Sequence, residues 1–189
     1  ASFRQREGDD ASCLNLYAPR EPPMLGAPRG FVEDGRFTFA ASEAATPAER
    51  SNPWLLLDKP LANGVIPAIG DANSIQYSLN LGVGGELTVG GGPSGAPVRL
   101  RIVGTLSDSV LQGVLVVSEQ NFLRAFPEQE GYRFLLVDVP GGRAAAVVGP
   151  LTDRLTDWGV RIESSRERLA SFRQVENTYL STFQSLGGL

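Results

Sequence analysis

The sequence predicts an α/β fold. Taken over the whole chain, the helices and strands correspond to the α+β class, and the prediction rests on composition and on the order of the segments. The 189 residues include 22 Gly and 13 Pro, which is high for a helical bundle and typical of short strands joined by turns. Hydrophobic residues make up 42% and charged residues 20%, close to the globular norm, so a folded chain is expected. The last third alternates strand-like and helix-like segments, an order that indicates a parallel crossover with helices packed on a sheet.

The first fifty residues carry the weakest pattern. Ser12–Tyr17 and Phe37–Ala41 are candidate strands, and Pro19–Pro28 is predicted to be a proline-rich connection. We expect these strands to complete a sheet with strands from the end of the chain. The following Trp54–Leu57 is predicted to anchor the core.

The middle of the chain is predicted to be rich in strands. A short amphipathic segment, Asp71–Leu79, presents Ile75 and Leu79 on one face, and Ser118 is a candidate cap for a helix over Asn121–Phe126. Glycine-rich turns separate four short β-type runs. These runs are Val65–Ile69, Glu86–Val89, Val98–Val103 and Val114–Val117.

The last third gives the clearest pattern. Tyr132–Val139 is predicted to be a buried strand and Val160–Glu163 a second one, with a helix ending at Gly159 between them. We expect the segment Phe134–Val137 to pair in parallel with the second strand, because a strand–helix–strand order favours a right-handed crossover. A long helix is predicted to follow from about 166 to 186, capped by Ser164 or Ser165.

These elements predict two lobes. Residues 1–51 and 131–189 are expected to form an α/β lobe from both ends of the chain. Residues 52–130 are expected to form an inserted, β-rich lobe. The start without Met and the uncapped end also lead us to expect a piece of a larger protein.

Composition excludes several function classes. The chain has no His, so a Ser-His-Asp triad, a Cys-His pair or an HExxH zinc site is not available within it. A net charge of −4 argues against nucleic acid as a partner, because phosphate binding needs a basic face. Cys13 is the single cysteine, and its predicted role is that of a small buried side chain.

No motif in the chain identifies a catalytic, cofactor-binding or metal-binding residue. The glycine-rich segment 90–95 lacks the GK[ST] ending of a phosphate-binding loop, so a hairpin turn is favoured. Ser109 and Ser118 lie at strand ends, where bonds to the backbone are the ordinary role. The carboxylates are scattered among turn and cap positions. They are Asp9, Asp10, Asp108, Glu119, Glu128 and Glu130.

The C-terminal helix is the candidate functional element. Its apolar residues recur at steps of three and four over about five turns, and a helix of this length spans about 30 Å. It is predicted either to pack on the core or to leave the domain as a stalk that contacts a membrane helix or a partner. The residues of this stripe are Leu169, Phe172, Tyr179, Phe183 and Leu186.

Three stretches of the chain resemble bacterial ABC transporter permeases of the FtsX/MacB-like superfamily. The first is Gly8-Asp-Asp-Ala-Ser-Cys-Leu-Asn-Leu16. The second is Ser109-Val-Leu-Gln-Gly113 with Ser118-Glu-Gln-Asn-Phe122. The third is Glu176-Asn-Thr-Tyr-Leu-Ser-Thr-Phe183 with Leu186-Gly-Gly-Leu189.

The resemblance implies a non-enzymatic extracytoplasmic domain that lies between two membrane helices. In that family a porter-like α/β lobe carries an inserted β-rich lobe, and stalk helices transmit the motion driven by cytoplasmic ATP hydrolysis. The implied location is the periplasmic face of the bacterial membrane. The implied partners are membrane helices of the same permease, a cytoplasmic ATPase subunit that this domain does not contact, and a second copy or a periplasmic protein. The alternatives are a periplasmic ligand- or peptide-binding module and a secreted hydrolase.

Overall fold

The computed structural model describes residues 1–8, 21–139 and 143–171. The chain divides into two compact units, Ala1–Leu136 and Val137–Leu189. The strands are β1 (Ser2–Arg6), β2 (Met24–Ala27), β3 (Thr38–Ser42), β4 (Ile66–Asp71), β5 (Glu86–Val89), β6 (Val98–Ser107), β7 (Leu115–Ser118) and β8 (Phe134–Leu135). The α-helices are α1 (Arg29–Asp34), α2 (Pro47–Ser51), α3 (Glu119–Ala125) and α4 (Ala144–Leu155).

One mixed sheet organises the first unit. Its strands follow the order β3-β6-β4-β7-β2-β1-β8, and β5 pairs with the first half of β6. The pairs β4–β6 and β2–β7 are parallel, and the other pairs are antiparallel. The predicted α/β fold class is confirmed, with an open mixed sheet and several helices.

Strand positions in the middle of the chain were predicted well. The four β-type runs correspond to β4, β5, β6 and β7, and the predicted Phe37–Ala41 strand corresponds to β3. The prediction of a connection over Pro19–Pro28 was wrong for its second half, because Met24–Ala27 is a fully buried strand. The predicted strand Ser12–Tyr17 lies outside the described residues.

The predicted parallel crossover in the last third was wrong. Phe134 pairs antiparallel with Phe3, and their rings make an edge contact with centroids 5.6 Å apart. β1 therefore supplies the partner that the sequence analysis assigned to Val160–Glu163. That segment forms no strand in the structure, and Val160 remains 40% exposed.

The lobe boundaries also differ from the prediction of 1–51 with 131–189 around 52–130. β2 and β7 come from the two predicted lobes, yet they pair in parallel from Met24↔Leu115 to Ala27↔Ser118. All residues of both strands are buried. This shared core joins the two regions in one sheet, and the chain divides after Leu136 instead.

One face of the sheet packs against α3. Phe122 and Phe126 of this segment belong to a buried cluster with residues of β2, β4, β5, β6 and β7. The helix begins as predicted at Ser118, whose hydroxyl accepts a hydrogen bond from the Asn121 amide at 3.4 Å. Gly26 of β2 lies directly under Phe122, where a side chain would lack space.

The opposite face carries an aromatic cluster around Trp54. This ring is fully buried, as predicted, and it contacts Phe31, Phe37 and Phe39 with centroid distances of 4.8–6.0 Å. Its indole nitrogen donates a hydrogen bond to the Arg36 carbonyl. The sheet is therefore covered on both faces, as expected for an α/β arrangement.

The sheet is strongly curved. β1 and β5 are five strand steps apart, which in a flat sheet is about 24 Å. However, the Arg6 side chain of β1 donates to the carbonyl of Gly90, the residue after β5, at 3.2 Å. The register shift between Ala68 and Ile69 lies in the centre of the sheet, where an irregularity of this kind increases the local bend.

The second unit contains α4 and the start of a further helix. α4 includes Pro150, and the chain then forms a 3₁₀ turn over Thr156–Trp158 that ends at Gly159 with φ 68°. This positive φ confirms the predicted end at Gly159, because glycine adopts the left-handed conformation without a steric penalty. Among the described residues, no helix combines the length and the apolar character that a membrane crossing needs.

Candidate functional site

The structure describes only the start of the predicted stalk. Residues 165–171 are helical, and Leu169 is half-buried within them. The helix is capped at Ser164: its hydroxyl accepts from the Glu167 amide at 3.1 Å, and the Glu167 carboxylate accepts from the Ser164 amide at 3.3 Å. This reciprocal pair is a capping box, which confirms the predicted cap. The remaining stripe residues, Phe172, Tyr179, Phe183 and Leu186, lie outside the described residues.

Ser109 and Ser118 have the structural roles that their positions predict. The Ser109 hydroxyl is fully buried and accepts from the Leu111 amide at 3.0 Å. Both hydroxyls therefore bond to backbone near the end of a strand. Within the described ranges, no three His, Cys, Asp or Glu side chains lie close enough together to hold a metal ion.

Glu119 is one member of a polar cluster at the start of α3. Its Oε1 atom accepts from the Arg4 Nε atom at 2.9 Å and from the Tyr132 hydroxyl at 3.0 Å. The Arg4 guanidinium also lies 5.0 Å from the centre of the Tyr132 ring, within the range of a cation–π contact. This cluster ties β1 to α3 and to the segment before β8. Among the other scattered carboxylates, Asp9 and Asp10 lie outside the described residues, and Glu128 and Glu130 are exposed.

The two ends of the first unit meet at Ala1 and Leu136. The Ala1 nitrogen donates to the Leu136 carbonyl at 2.7 Å, and the Leu136 amide donates to the Ala1 carbonyl at 2.8 Å. Because β1 and β8 are antiparallel, the start of one strand and the end of the other lie at the same corner of the sheet. We call this place, formed by Ala1 and Leu136, the β1–β8 corner.

The glycine-rich segment 90–95 forms the turn of the β5–β6 hairpin, as predicted. Gly91 has φ 73° and Gly95 has φ 78°, a conformation that other residues adopt at a cost. A Cβ atom at Gly90 would lie 3.0 Å from a Glu21 carboxylate oxygen, and one at Gly91 would lie 3.3 Å from the Arg6 Nη2 atom. These glycines therefore allow the turn to approach two charged side chains closely.

Arg6, Glu21 and Gly90 form a contact that we call the latch. The Arg6 Nη2 atom donates to Glu21 Oε2 at 2.7 Å and to the Gly90 carbonyl at 3.2 Å. The second Glu21 oxygen accepts from the Gly90 amide at 2.8 Å. The guanidinium also lies 4.9 Å from the centre of the Phe126 ring. The latch therefore joins the β1–β2 pair to the β5–β6 turn across the curve of the sheet.

The electrostatics of the latch favour its charged form. Burial acts to raise the pKa of the Glu21 carboxyl, but the hydrogen bonds from Arg6 and Gly90 and the Arg6 charge outweigh it and hold the pKa below its ordinary value. The other terminal nitrogen of Arg6, Nη1, is buried and has no hydrogen-bond partner among the described residues. A buried donor without a hydrogen-bond partner costs free energy, so it lowers the net stability of the latch.

No local sequence pattern indicates the latch. Arg6 and Gly90 are 84 residues apart in the chain, and their contact depends on the curvature of the sheet. The available signal was Gly90 in the run Gly90-Gly-Gly92. The turn itself requires the other two glycines, since Gly91 has a positive φ and a Cβ atom at Gly92 would meet the Ala96 carbonyl, whereas a Cβ atom at Gly90 would meet Glu21.

No protein-family model matches the chain, and comparison with curated proteins gives no match. Function is therefore inferred from the residues and their geometry, together with the resemblance described above.

Proposed function

We propose that this chain is a non-enzymatic extracytoplasmic domain of a bacterial ABC transporter permease similar to the FtsX/MacB-like superfamily. It would lie on the periplasmic face of the membrane and convert the motion driven by cytoplasmic ATP hydrolysis into movement outside the membrane. Its partners would be the membrane helices of the same permease and a second copy or periplasmic protein. The cytoplasmic ATPase subunit would act on it through the membrane helices, without direct contact.

The observation that supports this proposal best is the resemblance carried by Gly8–Leu16, Ser109–Gly113, Ser118–Phe122 and Glu176–Phe183. Within the proposed permease, the β1–β8 corner would be the place at which the first unit receives motion from the rest of the protein. In the first unit, Ala1 and Leu136 exchange two backbone hydrogen bonds of 2.7 and 2.8 Å. Motion of a flanking segment would therefore act directly on β1 and β8.

The second unit supports the proposal through its helical segments. α4 is followed by the capped helix that starts at 165. In the proposed permease the stripe predicted from the sequence, of which Leu169 lies within the described residues, would contact a membrane helix or a partner.

Cysteine labelling in intact cells tests the proposed location. In the natural full-length protein, with Cys13→Ser removing the single native cysteine of this chain, we expect Tyr77→Cys to react with a membrane-impermeant maleimide before lysis. Tyr77 is 75% exposed, whereas Ser109 is fully buried. Ser109→Cys is the matched control and should react only after denaturation.

Labelling of the Tyr77→Cys protein only after lysis would place the domain in the cytoplasm and exclude the proposed function. The coding sequence on either side of this chain provides the second test. A permease requires an apolar run of about 20 residues on each side, whereas a periplasmic binding module requires a signal peptide and a stop codon.

A further inference from the structure

The turn between β5 and β6 has two parts. Residues 92–96 are held by hydrogen bonds to one another, and the glycines before them connect this part to β5. The Gly92 amide donates to the Ala96 carbonyl at 3.0 Å, the Gly95 amide to the Gly92 carbonyl at 2.8 Å, and the Ala96 amide to the Pro93 carbonyl at 3.1 Å. These bonds hold the turn in shape by themselves. The preceding Gly90 and Gly91 have the backbone freedom of a hinge.

Few side chains of this turn are buried. Gly91, Pro93 and residues 95–97 are exposed, and Gly92 is the buried residue among those of the turn whose burial is described. Segments with little buried apolar surface open at low free energy, separately from the core of the domain. The latch is therefore an important restraint on the position of this turn.

We propose that the latch is a releasable contact with two positions. In the closed position Arg6 and Glu21 hold Gly90, and the turn is docked against the β1–β2 pair. In the open position the turn moves away as one bonded unit about Gly90 and Gly91, while β4, β6 and β7 remain paired. This inference does not depend on the proposed permease function.

The chemistry of Arg6 is suited to release. In the closed position its Nη1 atom is buried without a hydrogen-bond partner in the described part of the chain. When the turn moves away, water reaches this nitrogen and the Glu21 carboxylate, so part of the lost hydrogen bonding is recovered. The contact between the guanidinium and the Phe126 ring leaves Arg6 in place to receive the turn again.

Hydrogen exchange measured by NMR on the 189-residue chain tests this proposal. Glu21→Gln keeps the shape of the side chain but removes the charge that pairs with Arg6. We expect exchange of the Gly90 amide to accelerate about tenfold or more, because a hydrogen bond between charged groups is replaced by a weaker one. Exchange at Ala96 and in β4 and β7 should stay within about twofold of the wild-type rate.

Glu86→Gln is the matched control. Glu86 lies on the same hairpin and pairs with Arg99 at 2.8 Å, but both side chains are exposed, at 40% and 50%, so its loss should leave Gly90 exchange unchanged. The proposal is overturned by an unchanged Gly90 rate in the Glu21→Gln protein. Equal acceleration at Gly90, Ala96 and β4 would also overturn it, because it indicates fraying or global loss of stability.

The wild-type chain gives an independent measurement if Glu21→Gln prevents folding. If Gly90 exchanges through a local opening, its exchange rate should change little at low urea concentrations, because little surface is exposed. The exchange rates in β4 and β7 should rise with urea, because these amides exchange through global unfolding. If Gly90 exchanges with the same urea dependence as β4, the turn does not open separately and the latch is a fixed structural contact.

Discussion

The contact between Gly26 and Phe122 gives the sharpest prediction from the packing. Gly26 lies in the buried strand β2, and a Cβ atom at this position would be 2.9 Å from both the Cβ and the Cγ atoms of Phe122. Carbon atoms pack best at about 3.5–4.0 Å, so Gly26→Ala requires a displacement of about 0.6 Å or more. Because the Phe122 Cβ atom is attached to the α3 backbone, a change of rotamer does not relieve this contact and the helix itself has to move.

The expected cost is the balance of two effects. Overpacking in a core typically destabilises by about 1–3 kcal/mol, while replacing glycine restricts the unfolded chain and returns about 0.4–1 kcal/mol. Taking the middle of each range, we expect Gly26→Ala to lower the free energy of unfolding by about 1.3 kcal/mol. Gly30→Ala is the matched control, since Gly30 lies in α1 and a Cβ atom there would have no neighbouring atom within 4 Å, and it should be neutral or stabilise by up to about 1 kcal/mol.

Urea unfolding followed by the fluorescence of Trp54 measures this difference. Trp158→Phe should be present throughout, so that the signal reports the first unit alone. Phe122→Ala should cost less in the Gly26→Ala protein than in the wild type, because alanine lacks the Cγ atom, one of the two atoms that make the new contact. Equal or greater stability of Gly26→Ala relative to wild type would refute the packing of α3 on β2.

Two further predictions concern local structure. The Thr46 amide, the Lys59 side chain and the Ala45 amide lower the pKa of Glu49 from 4.5 to about 2, so its contribution to stability is present above pH 4.5 and is lost as the pH falls towards 2. Glu49→Gln should therefore be less stable than wild type at pH 7, and the two denaturation curves should converge as the pH falls to about 2. A difference that is constant with pH would contradict this. Phe37 has φ 75°, so Phe37→Gly should be about 1 kcal/mol more stable than Phe37→Ala, because both lose the ring but glycine alone removes the left-handed strain. Greater stability of the alanine protein in thermal unfolding would indicate that this backbone is not strained.

Local signals explain what the sequence predicted correctly. Ser118 and Ser164 were found as helix caps, and Gly159 as a helix end, because each acts on backbone groups within a few residues. The strands in the middle of the chain were found because apolar residues alternate between clear glycine-rich turns.

The errors come from contacts between distant segments. β1 has the sequence Ser-Phe-Arg-Gln-Arg, in which Phe3 is buried and the other residues are half-buried. This sequence does not indicate a strand of the sheet, because Arg4 and Arg6 are covered only by distant ion-pair partners and aromatic rings. β2 was hidden by Pro22, Pro23 and Pro28 around it, although it lies centrally in the sheet. The Val160–Glu163 segment shows the opposite case, where a strand-like pattern has no partner strand among the described residues and forms no strand.

The antiparallel pairing at the β1–β8 corner also fixes how the first unit responds to mechanical load. When Ala1 and Leu136 are pulled apart, the force acts across the strands and the backbone bonds break one after another from the corner inwards. β8 is only two residues long, so it peels away while β1 keeps its pairs with β2 from Arg4 to Arg6. When both ends move in the same direction, no bond is loaded in this way and the sheet is carried as a whole. The first unit therefore yields easily when its two ends are pulled apart, and it resists deformation when both ends move together.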